Sequence, residues 1–165
     1  MKMKVLLVDD ETEFVTTLAN RLGIRGIQAD VVFDGQQALD YVRKQEPDVI
    51  VLDLKMPGLH GMEVLRLLSK TNPNIQVLIL TGHGTDRHEE DAKRLKAFDY
   101  LRKPTDIDVL ADRIRGAYQF KVENAMSAIA FAEAGEFETA KTINKESENL
   151  KTAGELFKNE AKDKD

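Results

Sequence analysis

Three runs of four apolar residues constrain the fold of this 165-residue chain more than any other feature: Val5-Leu-Leu-Val8, Val49-Ile-Val-Leu52 and Val77-Leu-Ile-Leu80. Each is too short for a helix and too unbroken for a strand with one wet face. Unbroken apolar strands belong to parallel sheets covered on both sides by helices. The stretches between them have helical spacing. Phe14, Val15, Leu18 and Leu22 recur at three and four and close at Gly23. Ala38, Leu39 and Val42 follow Gly35 and precede Pro47; Val64, Leu65 and Leu68 follow Gly61 and precede Pro73. Glycine and proline are expected at such boundaries. Weaker strands are expected at residues 29–33 and 98–101, and helical spacing resumes through Ile107, Leu110 and Ile114. Strand followed by helix, repeated along the chain, predicts a doubly wound α/β fold around a parallel sheet.

Composition removes several classes of function. Asp and Glu (29) outnumber Lys and Arg (24), giving a net charge of −5 and no general affinity for nucleic acid or an anionic membrane. With no cysteine there can be no disulfide, thiolate metal site or thiol nucleophile. The apolar run behind the first residues stops at Asp9, far short of a secretory signal, and no later run approaches a membrane span. A soluble, cytoplasmic protein is expected.

Two segments depart from the regular pattern. Residues 86–96 offer only Ala92 and Leu95 for burial, so the helix expected there should be the least stable of the domain. Beyond Arg115 the chain turns rich in Ala, Glu and Lys, and the stripe Ile114, Tyr118, Val122, Ala125, Ile129 and Ala132 continues. Gly135 reads as the residue after a helix end. A weaker pattern of Phe137, Ala140, Ile143, Leu150 and Phe157 follows. The expected organisation is a main domain at 1–118 and a helical extension at 119–165, a hairpin continuing the last helix and ending in a frayed polar tip. From Glu136 onward there are eight acidic and six basic residues, so the extension does not read as a DNA-binding element. An output or assembly role fits better, with a second subunit covering the remaining stripe as a homodimer through the C-terminal helices.

In an open α/β sheet, ligands bind beyond the carboxyl ends of the strands. The residues expected there are Asp9, Asp10 and Glu11 after the first strand and Asp53 after the third. Thr81 and Gly82 follow the fourth strand, and Lys103 and Pro104 follow the fifth. Clustered carboxylates repel unless a cation sits among them, and oxygen ligands with room for water favour Mg²⁺. A lysine and a hydroxyl opposite suit a phosphoryl group. The chemistry suggested is phosphoryl transfer to a carboxylate.

These residues carry a resemblance. The stretch from Lys4 to about residue 118 resembles the receiver domain of bacterial two-component response regulators. It does so through Asp9-Asp10-Glu11, Asp53-Leu-Lys-Met56-Pro57-Gly-Leu-His-Gly61, Leu80-Thr81-Gly82 and Phe98-Asp-Tyr100-Leu-Arg-Lys103-Pro104. The resemblance implies a five-stranded sheet in the flavodoxin-like order 2-1-3-4-5 with helices on both faces. It implies Asp53 as phosphoacceptor for a sensor histidine kinase or phosphotransfer protein, and a conformational switch that regulates a downstream protein. Mg²⁺ would be held by Asp9, Asp10, Asp53 and the backbone carbonyl of Lys55, with Asp9 acting mainly through water. Thr81 and Lys103 would bind the phosphoryl group, Tyr100 would turn inward with Thr81, and Lys103–Pro104 would be a cis peptide. Such a domain is a signalling module, with at most slow self-catalysed phosphoryl acceptance and release, and has no organic cofactor.

Taken singly, each residue has a plainer reading. An aspartate at a strand end is usually a cap or turn residue, Thr81 a cap, Lys103 a solvated chain and Tyr100 a core aromatic. Their joint spacing is what carries the functional reading. His60, His83 and His88 lack ligand spacing and read as surface loop residues. Lys55 and His83 flank the acceptor, where they would meet an attacking water. An aspartate-nucleophile phosphatase of the haloacid dehalogenase type would need Asp-x-Asp-x-Thr, which Asp9-Asp10-Glu11-Thr12 does not supply. An acidic loop after the first strand would repel the phosphate of a flavin. One departure stands out: receivers commonly carry a glycine before the fifth strand, where this chain has Lys96. A left-handed lysine costs about 1–2 kcal/mol, so a rearranged junction is expected there.

Overall fold

The computed structural model describes the backbone of residues 2–162 and the side chains of 2–134. Five strands alternate with five helices: β1 (Val5–Val8), α1 (Thr12–Ile24), β2 (Ala29–Val32), α2 (Gly35–Lys44), β3 (Val49–Leu52), α3 (Gly61–Thr71), β4 (Gln76–Thr81), α4 (Asp86–Arg94), β5 (Asp99–Arg102) and α5 (Ile107–Lys162). The strands form one parallel sheet in the order β2-β1-β3-β4-β5, with Val5 opposite both Ala29 and Val49 and Leu78 opposite Asp99. The order reverses between β1 and β3, so the strand-end crevice opens there.

The apolar runs are buried because alternate residues feed two cores. Leu6, Val8, Ile50, Leu52, Val77 and Ile79 pack with α2, α3 and Ala92 of α4. Val5, Leu7, Val49, Val51, Leu78 and Leu80 pack with Val15, Leu18 and Leu22 of α1 and with Ile107, Leu110, Ala111 and Ile114 of α5. The edge strands β2 and β5 are only partly buried, which is why their sequences alternate and read weakly.

Four local expectations need correction. First, α1 does not close at Gly23 but runs to Ile24, and Gly26 at φ +79° takes the position after its C-cap. Ile27 N–H donates to Leu22 and Gly26 N–H to Gly23, the paired bonds of a Schellman motif. Second, α4 ends on the same motif, with Ala97 N–H donating to Ala92 and Lys96 N–H to Lys93. Lys96 therefore sits at φ 63°: the junction keeps its geometry and carries the strain, because two backbone bonds hold it.

Third, the turn expected at Gly135 is absent. Helix α5 continues through it to Lys162, in a stretch with no proline and many strong helix formers. One interior glycine costs a helix about 1 kcal/mol relative to alanine and does not by itself end it. From residue 119 to Lys162 the backbone is thus a single helix where a hairpin was expected. The side chains assigned to the hairpin's second arm, Phe137, Ala140, Ile143, Leu150 and Phe157, lie outside the described residues. Of the polar tip expected to fray at 158–165, the backbone is helical to Lys162, and 163–165 are not among the described residues. The backbone divides into two compact units, Met1–Val122 and Glu123–Asp165.

Fourth, two of the histidines are helix caps. His60 Nδ1 accepts from Met62 N–H at 3.1 Å at the start of α3, and His88 Nδ1 accepts from Thr85 N–H at 3.2 Å, closing a capping box on α4. Only Ala92 of α4 is fully buried. Among the described residues no helix is long and apolar enough to cross a membrane.

Candidate functional site

The carboxyl ends of β1, β3, β4 and β5 converge on one cluster. Asp9, directly after β1, is 4% exposed, and its Oδ1 accepts from Glu11 N–H at 2.9 Å. Asp53, directly after β3, is 2% exposed, and its Oδ1 accepts from Leu54 N–H at 2.8 Å. Asp53 N–H donates to Val8, which fixes the end of β3 against the end of β1. Carboxylate oxygens of Asp9, Asp10 and Asp53 all lie within 4.8 Å of one another, and Asp10 is partly open to solvent.

Lys103 reaches this group from the loop after β5, and the Lys103–Pro104 peptide is cis. Its Nζ donates to Asp9 Oδ2 at 2.6 Å and Glu11 Oε1 at 3.3 Å, and lies 3.6 Å from Asp53 Oδ2. Burial alone would lower the Lys103 pKa, but Asp9, Asp53 and Glu11 outweigh it and hold the ammonium above the usual lysine range. For Asp9 burial dominates: it pushes the carboxyl up, with help from Asp53, against the bonds from Lys103 and Glu11 N–H. One cation thus contacts three carboxylates, with Asp10 a fourth beside Asp9 and Asp53, and the cluster remains short of positive charge.

Thr81, the last residue of β4, is wholly buried, and its Oγ1 accepts from His83 N–H at 3.2 Å. Lys103 N–H donates to the Thr81 carbonyl, so the two residues are tied through backbone. Tyr100 on β5 packs at the edge of the α3–α4 core with its hydroxyl buried, and burial raises its pKa. The Lys55 side chain points to solvent, as does that of His83. The structure therefore brings together Asp9, Asp10, Asp53 and Lys103, with Thr81 tied to Lys103 beside them and Tyr100 on the neighbouring strand.

Some residues of the site were not foreseen. Phe14, read as part of the buried stripe of α1, is 37% exposed, and its ring centroid lies 4.3 Å from Lys103 Nζ. An aromatic one turn into the helix after the acidic loop was the only signal for it. Gly61 was read as a helix boundary, but its role is steric. A Cβ there would overlap the Asp53 carbonyl oxygen and lie 2.7 Å from Leu54 Cα, so α3 can start against the acceptor segment only with glycine.

Buried carboxylates and a lysine thus meet at the switch point of a 2-1-3-4-5 parallel sheet. The family model for the response regulator receiver domain matches residues 5–115, and the chain belongs to that family. It is 36% identical over 115 residues to the sporulation initiation phosphotransferase F of Bacillus subtilis, a match covering 70% of this chain and 93% of that protein. It is 35% identical to the C4-dicarboxylate transport transcriptional regulatory protein DctD of Pseudomonas aeruginosa over 81% of this chain, but spans only 29% of that relative. Among solved structures, the Francisella response regulator 1452 receiver domain superposes with a TM-score of 0.67 at 34% identity, covering 72% of this chain and 98% of that one. The chain thus carries a receiver domain of two-component phosphorelay signalling.

Proposed function

We propose that Asp53 is the phosphoacceptor of this receiver, and that Thr81, Lys103 and Tyr100 convert its phosphorylation into a change of shape. The observation that carries this reading is Asp53 itself. It is a buried carboxylate with one oxygen held by a backbone amide and the other 3.6 Å from a lysine. That oxygen would form the new O–P bond as the P–N bond of a phosphohistidine breaks, the imidazole leaving with the electron pair. Lys103 is already beside Asp53 and exchanges its bond to Asp9 for one to the phosphoryl oxygens. Thr81 would turn its hydroxyl from His83 N–H toward the same group.

The donor set fits a hard divalent cation: three carboxylates, oxygen ligands only, one side open to water. Asp9, Asp10, Asp53 and the Lys55 carbonyl would hold Mg²⁺, which when bound supplies charge that offsets their repulsion and steadies the phosphoryl oxygens. Charge-assisted hydrogen bonds contribute about 1.5–3 kcal/mol each. Inverting a two-state balance from 1:99 to 99:1 takes about 5.5 kcal/mol. Lys103 and Thr81 together with backbone amides near Gly82 reach that sum, whereas none of them does alone.

In this reading the donor is a sensor histidine kinase or phosphotransfer protein in the cytoplasm, self-catalysed turnover is slow, and the output is contact with another protein. The exposed apolar residues Met126, Ile129 and Phe131 of α5, at 67%, 60% and 83% exposure, favour a second copy of the chain as one such contact. The acceptor reading is tested by amide NMR with beryllofluoride and Mg²⁺. Shifts are expected around Thr81 and Lys103 in the full chain and none in Asp53→Asn; equal shifts in both overturn it. Light scattering on the full chain and on a chain ending at Val122 tests the dimer, which the shorter chain should lose.

A further inference from the structure

The Tyr100 hydroxyl is buried without a hydrogen-bond partner among the described residues, an arrangement that persists only where the surroundings enforce it. The loop after β4 contains two glycines that differ sharply in what surrounds them. A Cβ on Gly82 would meet nothing nearer than Lys103 Cβ at 3.8 Å. A Cβ on Gly84 would overlap the Tyr100 hydroxyl oxygen and lie 2.8 Å from both Tyr100 Cζ and Thr81 Cγ2. Gly84 has no left-handed φ, so the position demands space and not backbone freedom.

We propose that Gly84 is the residue that admits Tyr100 to the interior. Its missing side chain is the slot that the phenol tip fills, and the Thr81 methyl forms the adjoining wall. The hydroxyl is buried in that slot, so residue 84 sets how readily the ring takes the inward position. Any side chain at 84 competes with the tyrosine for one volume, and only movement of Thr81 or Tyr100 can relieve the overlap. Gly84 thus acts as a positioning residue, and the proposal rests on reading Thr81 and Tyr100 as the switch pair.

The test uses the full chain with labelled tyrosine rings and threonine methyls. A nuclear Overhauser contact between the Tyr100 ring and the Thr81 methyl is expected in the wild type and should be lost in Gly84→Ala. The phenol, held up by burial, should then titrate nearer to an ordinary tyrosine. An unchanged contact and titration in Gly84→Ala overturn the proposal. If that variant does not fold, Gly84→Ala combined with Tyr100→Leu decides: recovery of folding supports the shared volume, and continued failure overturns it. A beryllofluoride arm separates the two readings. If Tyr100 leaves its slot in Gly84→Ala but neither Thr81 nor Tyr100 of the wild type responds to beryllofluoride, the slot stands and the switch reading falls.

Discussion

Replacing Lys103 with methionine removes the only cation in direct contact with Asp9 among the described side chains and leaves its aliphatic volume in place. At an effective dielectric of about 20, a pair of unit charges attracts by about 6 kcal/mol at the 2.6 Å of the Asp9 contact and about 5 kcal/mol at the 3.6 Å of Asp53. Desolvation of the half-buried ammonium offsets most of this, and one strong and one long charge-assisted contact leave a net loss of about 2–4 kcal/mol. The deficit should depend on pH in a definite direction. Asp9 is already raised by burial, and losing Lys103 raises it further. A carboxyl with a folded pKa above its unfolded value binds protons more tightly in the folded state, so stability falls as pH rises between the two values. The Lys103→Met deficit is therefore largest at pH above the raised Asp9 pKa, where the carboxylate is fully ionised, and shrinks as acidification protonates Asp9. Mg²⁺ should stabilise the variant more than the wild type, because no ammonium competes for Asp9. Urea unfolding followed by circular dichroism, in EDTA and then in Mg²⁺, measures all three effects. A variant as stable as the wild type at the higher pH in EDTA, or a deficit that does not shrink on acidification, would refute the reasoning.

Three further outcomes follow from local structure. Lys96→Gly should stabilise the domain by about 1 kcal/mol in urea unfolding, because glycine removes the cost of φ 63° and leaves the Schellman bonds intact. Gly61→Ala should destabilise it by about 3 kcal/mol in the same assay, since the overlap is with backbone that cannot rotate away. Amides of α4 should exchange with deuterium faster than those of α1, which buries Val15, Leu18 and Leu22 where α4 buries only Ala92.

The parts legible in the sequence share a physical cause. A strand buried on both faces must be apolar at every position, so β1, β3 and β4 announce themselves and place Asp9, Asp53 and Thr81 at their ends. What stayed hidden depends on proximity that only folding creates. Nothing local says that Gly61 abuts the Asp53 carbonyl, that Gly84 makes way for Tyr100, or that Phe14 covers Lys103. His60 and His88 looked like loop residues because histidine is an uncommon cap. Gly135 misled in the opposite direction: a glycine that could end a helix does so only where its neighbours allow it, and here the alanine- and glutamate-rich run carries the helix through.

Intact-mass spectrometry of the full chain after treatment with acetyl phosphate and Mg²⁺ tests the central claim most directly. A single phosphoryl adduct is expected in the wild type, absent in Asp53→Asn and absent when EDTA replaces the metal. An adduct of equal abundance in Asp53→Asn would contradict the assignment of Asp53 as the acceptor.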